Sequence, residues 1–481
     1  MNNLDKIFKA YDVRGIYPEE INEDVACRIG KATVDFLLSK IPAESFKLKT
    51  KRAINLVVGR DNRLSSESLA QELIKGIRDQ GANVIDIGLS TTPMFYFSVV
   101  GLNGDGGIMV TSSHNPKEFN GFKIVGREAM PIGGDSGLSE IKNKTKENVF
   151  IKPEKRGILK TKEMINNYIV SVLEFSHIGK IRPCKIVVDT SNGVAGIVIP
   201  KLLPKISEYF VGGQLGLIHI CGKLDGSFPN HEPDTSRPEN LRQLQEKVLS
   251  EKADLGIIFD GDADRILFVD EKAEIIDPDF IGALLVHHFF KSNGKIIFTP
   301  VASRILKEEI EDSGSIPLCS RVGHTFIREK MKSEEASLGI ESSGHYYLRN
   351  NYCLDSPLVI FLMVIEIMSK TRTPLSVLID YYKKYCQEEM NIHIKNIESL
   401  APSTIQPIFE KLVSYFSENL SDQSIKPSIC RIDGLKIIFS DWWFNLRASN
   451  TEPILRLTIE ATDKELLEEK KQELLFLLFN S

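Results

Sequence analysis

This 481-residue chain has no long apolar run, no cysteines at metal or redox spacing and no excess of basic residues. Its longest apolar stretch, Leu358–Ile365, stops at Glu366, far short of the roughly 20 residues that cross a bilayer. It is read as a buried helix. Asp5, Lys6 and Lys9 precede any hydrophobic stretch, so no signal peptide is expected. The seven cysteines, from Cys27 to Cys430, are odd in number and contain no C-x-x-C. That argues for reduced thiols and against a disulfide framework or a thiolate zinc site. These absences predict a cytoplasmic protein with no membrane partner. With 60 Lys and Arg against 65 Asp and Glu, a formal charge of -5, nucleic-acid binding is not expected, because displacing counterions from a phosphate backbone takes a basic face. Any anionic ligand must be held by local cations.

What is present is ordinary globular composition, 42% hydrophobic and 26% charged, in a chain too long for one core. Short apolar strands alternate with amphipathic helices: Leu56–Val58, a helix from about Ser65 to Gln80, Val84–Ile87, a helix from Pro93, then Gly107–Val110. Ser65 is a plausible N-cap and Gly81 a plausible stop. This βαβαβ pattern predicts a parallel sheet with functional loops at the carboxyl ends of its strands. It recurs with Ile186–Asp189 and Leu255–Phe259, and again with Ile296–Thr299 and Leu338–Glu341. After Tyr385 come closely spaced strands at Ile392–Ile394, Leu435–Phe439, Trp442–Leu446 and Leu455–Glu460, with helices near Thr404–Asn419 and from Asp463. The expected architecture is three similar doubly wound α/β units, 1–155, 156–274 and 275–386, followed by a smaller α+β unit, 387–481, with antiparallel strands.

The sharpest local feature is Asp260-Gly261-Asp262-Ala263-Asp264-Arg265, between the apolar runs Leu255–Phe259 and Ile266–Val269. Asp-Gly between apolar runs is a hairpin signal, but a turn needs one Asp and not three. At about 4 Å each pair of like charges costs about 4 kcal/mol at an effective dielectric near 20. A divalent cation relieves that repulsion, and an oxygen-only donor set suits Mg²⁺. A calcium EF-hand fits badly: Asp260, Asp262, Asp264 and Glu271 have the spacing, but the position that needs Gly holds Arg265.

Three more loops offer chemistry. Thr111-Ser112-Ser113-His114-Asn115-Pro116 puts hydroxyls beside an imidazole at the end of an apolar strand, and Lys123 follows in Asn120-Gly121-Phe122-Lys123. The same residues also describe a polar turn. Gly339-Ile340-Glu341-Ser342-Ser343-Gly344-His345 presents a carboxylate, two hydroxyls and an imidazole, a mixture suited to sugar hydroxyls. Arg447-Ala448-Ser449-Asn450-Thr451 sets a guanidinium fork beside hydroxyls and an amide, a phosphate grip.

Together these loops resemble the α-D-phosphohexomutases, meaning phosphomannomutases, phosphoglucomutases and their relatives, over almost the whole chain. The elements stand in family order: Tyr11-Asp12-Val13-Arg14-Gly15, Thr111 to Pro116, Asp260 to Arg265, Gly323-His324, Glu341 to His345, and Arg447 to Pro453. The resemblance implies four domains around one active cleft. It implies that Ser113 is the phosphoserine, that Asp260, Asp262 and Asp264 with Ser113 bind Mg²⁺, and that Arg447, Ser449, Asn450 and Thr451 hold the substrate's non-reacting phosphate. Glu341, Ser343 and His345 would read the sugar, with Tyr11, Gly323 and His324 beside it. Proton transfer falls among Lys123, His114, Arg14, Arg265 and His345. The implied activity moves a phosphoryl group between the 1- and 6-positions of mannose or glucose phosphate, in a monomer or homodimer primed by a trace of sugar bisphosphate. Two positions depart from the family wording: Ile340 stands where Gly is common, and Ala263 often is Gly. Competing readings are a phosphoglucosamine mutase, a phosphatase with Asp260 as nucleophile, and an inactive sugar-phosphate binder.

Overall fold

A computed structural model of the chain describes residues 4–41, 53–213, 215–292, 294–393, 402–418, 427–448 and 454–479. The first sheet runs in the order β1 (Val13–Ile16), β5 (Phe119–Val125), β4 (Gly106–Val110), β2 (Asn55–Arg60), β3 (Asn83–Leu89), β6 (Leu159–Thr161). The second runs β11 (Ile275–Ile276), β10 (Ile266–Asp270), β9 (Leu255–Phe259), β7 (Lys185–Asp189), β8 (Gly216–Ile220). The third runs β13 (Ile316–Cys319), β12 (Lys295–Phe298), β14 (Leu338–Glu341), β15 (His345–Leu348), β16 (Leu354–Asp355).

None of these sheets is purely parallel, as the strand–helix alternation had predicted. Each has a parallel centre, β4-β2-β3, β9-β7-β8 or β14-β12-β13. Each then turns back into an antiparallel strand, β5, β10 or β15. The reason is local: the segments Thr111–Glu118, Asp260–Arg265 and Ser342–Gly344 are too short for a crossover helix. They are therefore equivalent loops at the carboxyl ends of equivalent strands, and three repeats deliver three polar loops to one place.

The expected boundaries move. β6 lies beyond residue 155 yet pairs with β3, and β11 lies just beyond 274 yet pairs with β10. The helix Ser66–Asp79 follows Ser65, but Ser65 makes no cap with its side chain; its Oγ instead accepts from Asn120 Nδ2 at 2.8 Å.

The helix Pro357–Thr371 is buried along nearly its whole length, inside an apolar cluster that also holds Ile165, Ile169, Leu202, Leu284 and Ile340. The second and third units thus share one core, which explains its unbroken apolar run. Among the described residues no helix is long and apolar enough to cross a membrane.

The last unit is an antiparallel sheet, β17 (Cys386–Ile392), β21 (Leu455–Ala461), β20 (Trp442–Ala448), β19 (Leu435–Ile438), β18 (Ser428–Cys430), covered by the helices Pro402–Glu418 and Lys464–Phe479. The expected strand Ile392–Ile394 is the end of β17, and residue 394 lies outside the described residues. This unit docks on the third through polar contacts, half-buried at Arg304 and buried at Lys436. Arg304 donates to the carbonyls of Ser440 (2.5 Å) and Phe439 (3.0 Å), and Lys436 donates to Pro300 O (2.6 Å) while lying 3.3 Å from the Trp443 ring centre.

Burial pushes the Lys436 ammonium down to about 8, with Glu460 opposing. Between pH 8 and the ordinary lysine value the unfolded chain binds the extra proton, so stability from this group rises with pH. The unfolding free energy of the natural protein minus that of Lys436→Met is expected to rise by about 1.4 kcal/mol per pH unit above pH 8. Denaturant titrations from pH 7 to 10 measure it, and a constant difference would contradict it.

Candidate active site

β9 and β10 are antiparallel, with Phe259 opposite Ile266, so the Asp-Gly segment is a hairpin loop as well as an acidic one. Asp260 and Asp262 are fully buried and Asp264 nearly so, their oxygens within 4.8 Å of one another. Asp260 Oδ1 accepts the N–H groups of Asp264 (3.1 Å) and Arg265 (3.2 Å). Asp262 Oδ2 accepts from Thr92 Oγ1 and from Lys123 Nζ, both at 2.6 Å, and Lys123 also donates to Asp264. Ala263 sits at φ +57°, the left-handed region where glycine is free of strain, which accounts for the glycine common in the family at this place.

Charge is distributed unevenly over the three acids. Burial, Asp264 and Asp262 raise the Asp260 carboxyl well above the usual range. Asp264 is lowered, because Lys123, His345 and Arg265 outweigh its burial. The second oxygens, Asp262 Oδ1 and Asp264 Oδ1, are buried with no hydrogen-bond donor, a costly state that a cation relieves.

Among the described residues two other groups of ligating atoms also lie within 4.8 Å of one another, one of them sharing Asp264. In Asp189, Cys221 and His231 the carboxylate is satisfied by His231 Nε2 (3.2 Å) and Ser191 N (2.8 Å). In the other, His345 Nδ1 pairs with Asp355 Oδ1 at 2.9 Å, so the ring is spoken for. The Asp260 loop is where an oxygen-liganded metal fits.

Ser113 is buried at φ +49° in the loop between β4 and β5. Its Oγ donates to Asp260 Oδ2 at 2.7 Å and lies 3.3 Å from His114 Nδ1. A Cβ on Gly261 would stand 2.6 Å from Ser113 O, so only glycine lets the two loops meet. Arg14 is aimed by Asp12 (2.7 Å) and donates to Asn115 Oδ1 (2.7 Å). Burial, Arg265 and Arg14 hold the His114 pKa well below its ordinary value, leaving a neutral ring. Asp262 and Asp264 outweigh burial at Lys123 and keep it charged.

Ile340, which departs from the family wording, is fully buried against Gly282. Glu341 accepts from Gly323 N (2.9 Å) and Tyr347 OH (3.3 Å). Ser343 Oγ is buried without a partner, and His345 Nε2 accepts from Arg265 Nε at 3.1 Å. Tyr11 and His324 meet edge to face, 5.0 Å between centres. Arg447, at the end of β20, is buried with an unpartnered Nε, and Glu389 is 4.0 Å from its NH2. Ser449, Asn450 and Thr451 lie outside the described residues.

These groups face one cleft of about 1180 Å³. Tyr11, Arg14, Ser113, His114 and Lys123 line it from the first unit, and Asp264 and Arg265 from the second. Gly323, His324, Glu341, Ser343 and His345 line it from the third, and Arg447 from the fourth. Asp260 and Asp262 sit behind this wall. Sequence reasoning missed Thr92, which fastens Asp262; Asp355, which orients His345; Arg237, in the cleft wall; and Arg63, beneath the Ser113 loop. Arg63 and Thr92 both follow the carboxyl ends of strands, a placement that could have flagged them. Nothing local marks Asp355.

Comparison with known proteins bears on this cleft along its whole length. The family description "Phosphoglucomutase/phosphomannomutase, alpha/beta/alpha domain I" matches residues 5–152, domain II matches 166–273, domain III 277–385, and the C-terminal domain 389–475. A Vibrio cholerae phosphomannomutase is 38% identical over 475 residues, 97% of each chain. One from Escherichia coli is 35% identical over 476 residues, 98% of each. The crystal structure of a phosphoglucomutase/phosphomannomutase family protein from Burkholderia thailandensis superposes with a TM-score of 0.85 at 28% identity, covering 99% of this chain and 98% of that one.

Proposed function

The chain belongs to the phosphoglucomutase/phosphomannomutase family, and we propose that it interconverts hexose 1-phosphate and hexose 6-phosphate, mannose or glucose, through a phosphorylated Ser113. One observation carries this reading: Ser113 Oγ, in the wall of a cleft shared by four units, touches a buried carboxylate of a metal-type loop on another unit. The same observation weighs against a phosphatase with Asp260 as nucleophile, since Asp260 is wholly buried behind the serine.

Asp260, Asp262 and Asp264, with a phosphate oxygen on Ser113, would hold Mg²⁺, which supplies positive charge against the moving phosphoryl group. The protein's own groups do the rest. A sugar hydroxyl oxygen attacks phosphorus, the bond from phosphorus to Ser113 Oγ breaks, and the hydroxyl proton is released. His114, neutral and 3.3 Å from Oγ, is placed to accept a proton and return one to the serine. Lys123, Arg14 and Arg265 add fixed positive charge. Glu341, Ser343 and His345 hold sugar hydroxyls, while Arg447, Ser449, Asn450 and Thr451 hold the distant phosphate. The bisphosphorylated sugar then turns end for end, and its other phosphate returns to Ser113. A trace of that bisphosphate primes the enzyme.

Intact mass and peptide mapping before and after glucose 1,6-bisphosphate with Mg²⁺ test the reading. One phosphate on Ser113 that leaves on mixing with substrate is expected; none under any condition would overturn it. Mannose and glucose differ only at C2, so comparable turnover of both 1-phosphates is expected if O2 is left uncontacted. Activity confined to glucosamine phosphate would refute the sugar choice.

A further inference from the structure

We infer that Arg63 is a positioning residue for phosphoryl transfer, holding the loop that carries Ser113 in register with the Asp260 loop; this deepens the mutase reading and rests on it. Arg63 does not line the cleft. Its guanidinium is fully buried beneath the serine loop and donates to three of that loop's carbonyls and to the first carbonyl of β5. NH2 reaches the oxygens of Ser113 (2.8 Å) and Asn115 (2.6 Å), and NH1 those of Pro116 (2.7 Å) and Phe119 (3.0 Å).

Four carbonyl oxygens aimed at one point are unfavourable without a donor for each, and the planar fork of arginine is the side chain that can serve them together. Lysine offers three donors in a narrow cone. Asp61 supplies the fork's counter-charge: its Oδ2 is 3.2 Å from Nε without making a hydrogen bond, and its Oδ1 accepts the Arg63 backbone N–H at 3.0 Å. Ser113 stands at φ +49°, a conformation that persists only when its surroundings impose it. Arg63 imposes it from below.

The same side chain reaches the second unit. The Phe228 ring centre lies 5.1 Å from its guanidinium carbon. Beside it, Asn62 Nδ2 donates to Asn192 O at 2.8 Å, and a Cβ on Gly226 would stand 2.3 Å from Asn62 O. Arg63 is thus a strut between the unit that bears the serine and the unit that bears the three acids, and a loop displaced by about 1 Å loses about 10²-fold in transfer rate.

The test is steady-state kinetics of full-length Arg63→Lys beside the unaltered enzyme, well below the unfolding midpoint of each. The natural protein must first turn over hexose 1-phosphate; if it does not, the mutase reading fails, and this inference with it. Given that turnover, kcat of Arg63→Lys is expected to fall about 10²-fold with KM within about threefold. A folded Arg63→Lys protein with unchanged kcat would overturn the inference, as would equal losses in affinity and rate. If Arg63→Lys does not fold, Asp61→Asn, which removes the fork's counter-charge, decides: a fall in kcat at unchanged KM supports the strut, and natural kcat overturns it.

Discussion

In the Ser113→Ala protein, turnover of hexose 1-phosphate falls by about 10⁴-fold or more while the fold stays intact, because deleting a covalent nucleophile closes the route through the phosphoenzyme. Alanine also carries a Cβ, so the φ of +49° costs no more than it does with serine. The structural loss is the hydrogen bond to Asp260 and the longer contact with His114, each about 1 kcal/mol or less. A coupled assay at saturating substrate reads the rate, and circular dichroism with a thermal midpoint within a few degrees of the natural protein reads the fold. Residual turnover within about tenfold of the natural enzyme would mean that phosphate travels by another residue.

Removal of divalent metal has the next largest effect. Chelation is expected to lower turnover about 10³-fold, equivalent to roughly 4 kcal/mol of lost charge stabilisation, and added Mg²⁺ restores it. Acid should imitate the chelator. Asp260 is raised well above the usual carboxyl range by burial, Asp264 and Asp262, and a metal ligand must be deprotonated. Below that raised value each pH unit of acidification weakens Mg²⁺ affinity by about tenfold, a proton competing for one site. The Mg²⁺ concentration giving half-maximal rate, followed from pH 8 down to pH 5, measures this. A flat profile would show that Asp260 is ionised throughout and that its neighbours do not oppose its charge.

The elements that could be read from the chain are those whose residues announce their surroundings. Leu255–Phe259 and Ile266–Val269 are apolar on both faces because both faces are covered, and the three acids between them have no use for one another without a cation. The helix at Leu358 was legible because it is buried on every side. The strand Leu159–Thr161, exposed throughout, carries no apolar signature, and Gly216–Ile220, apolar at Leu217, Ile218 and Ile220 but only half covered, was passed over as well. The antiparallel turn-back was signalled only at Asp260-Gly261; in the first and third sheets it was missed, because there a short loop specifies it and not the strand's own composition. At the site, Ser113 and Asp260 could be paired only by resemblance, since 147 residues separate them. Arg63 and Asp355 act through backbone carbonyls and a second side chain, contacts that exist only once the loops have folded.

The bond between Ser113 and Asp260 joins two units whose largest apolar clusters differ. A nascent chain that has completed only its first unit holds an ordinary serine, with no carboxylate opposite and no place for a cation. Reactivity is a property of the seam and belongs to neither side of it. A lesion that merely loosens the seam, leaving both cores whole, would silence the chemistry long before any probe of secondary structure registered a change.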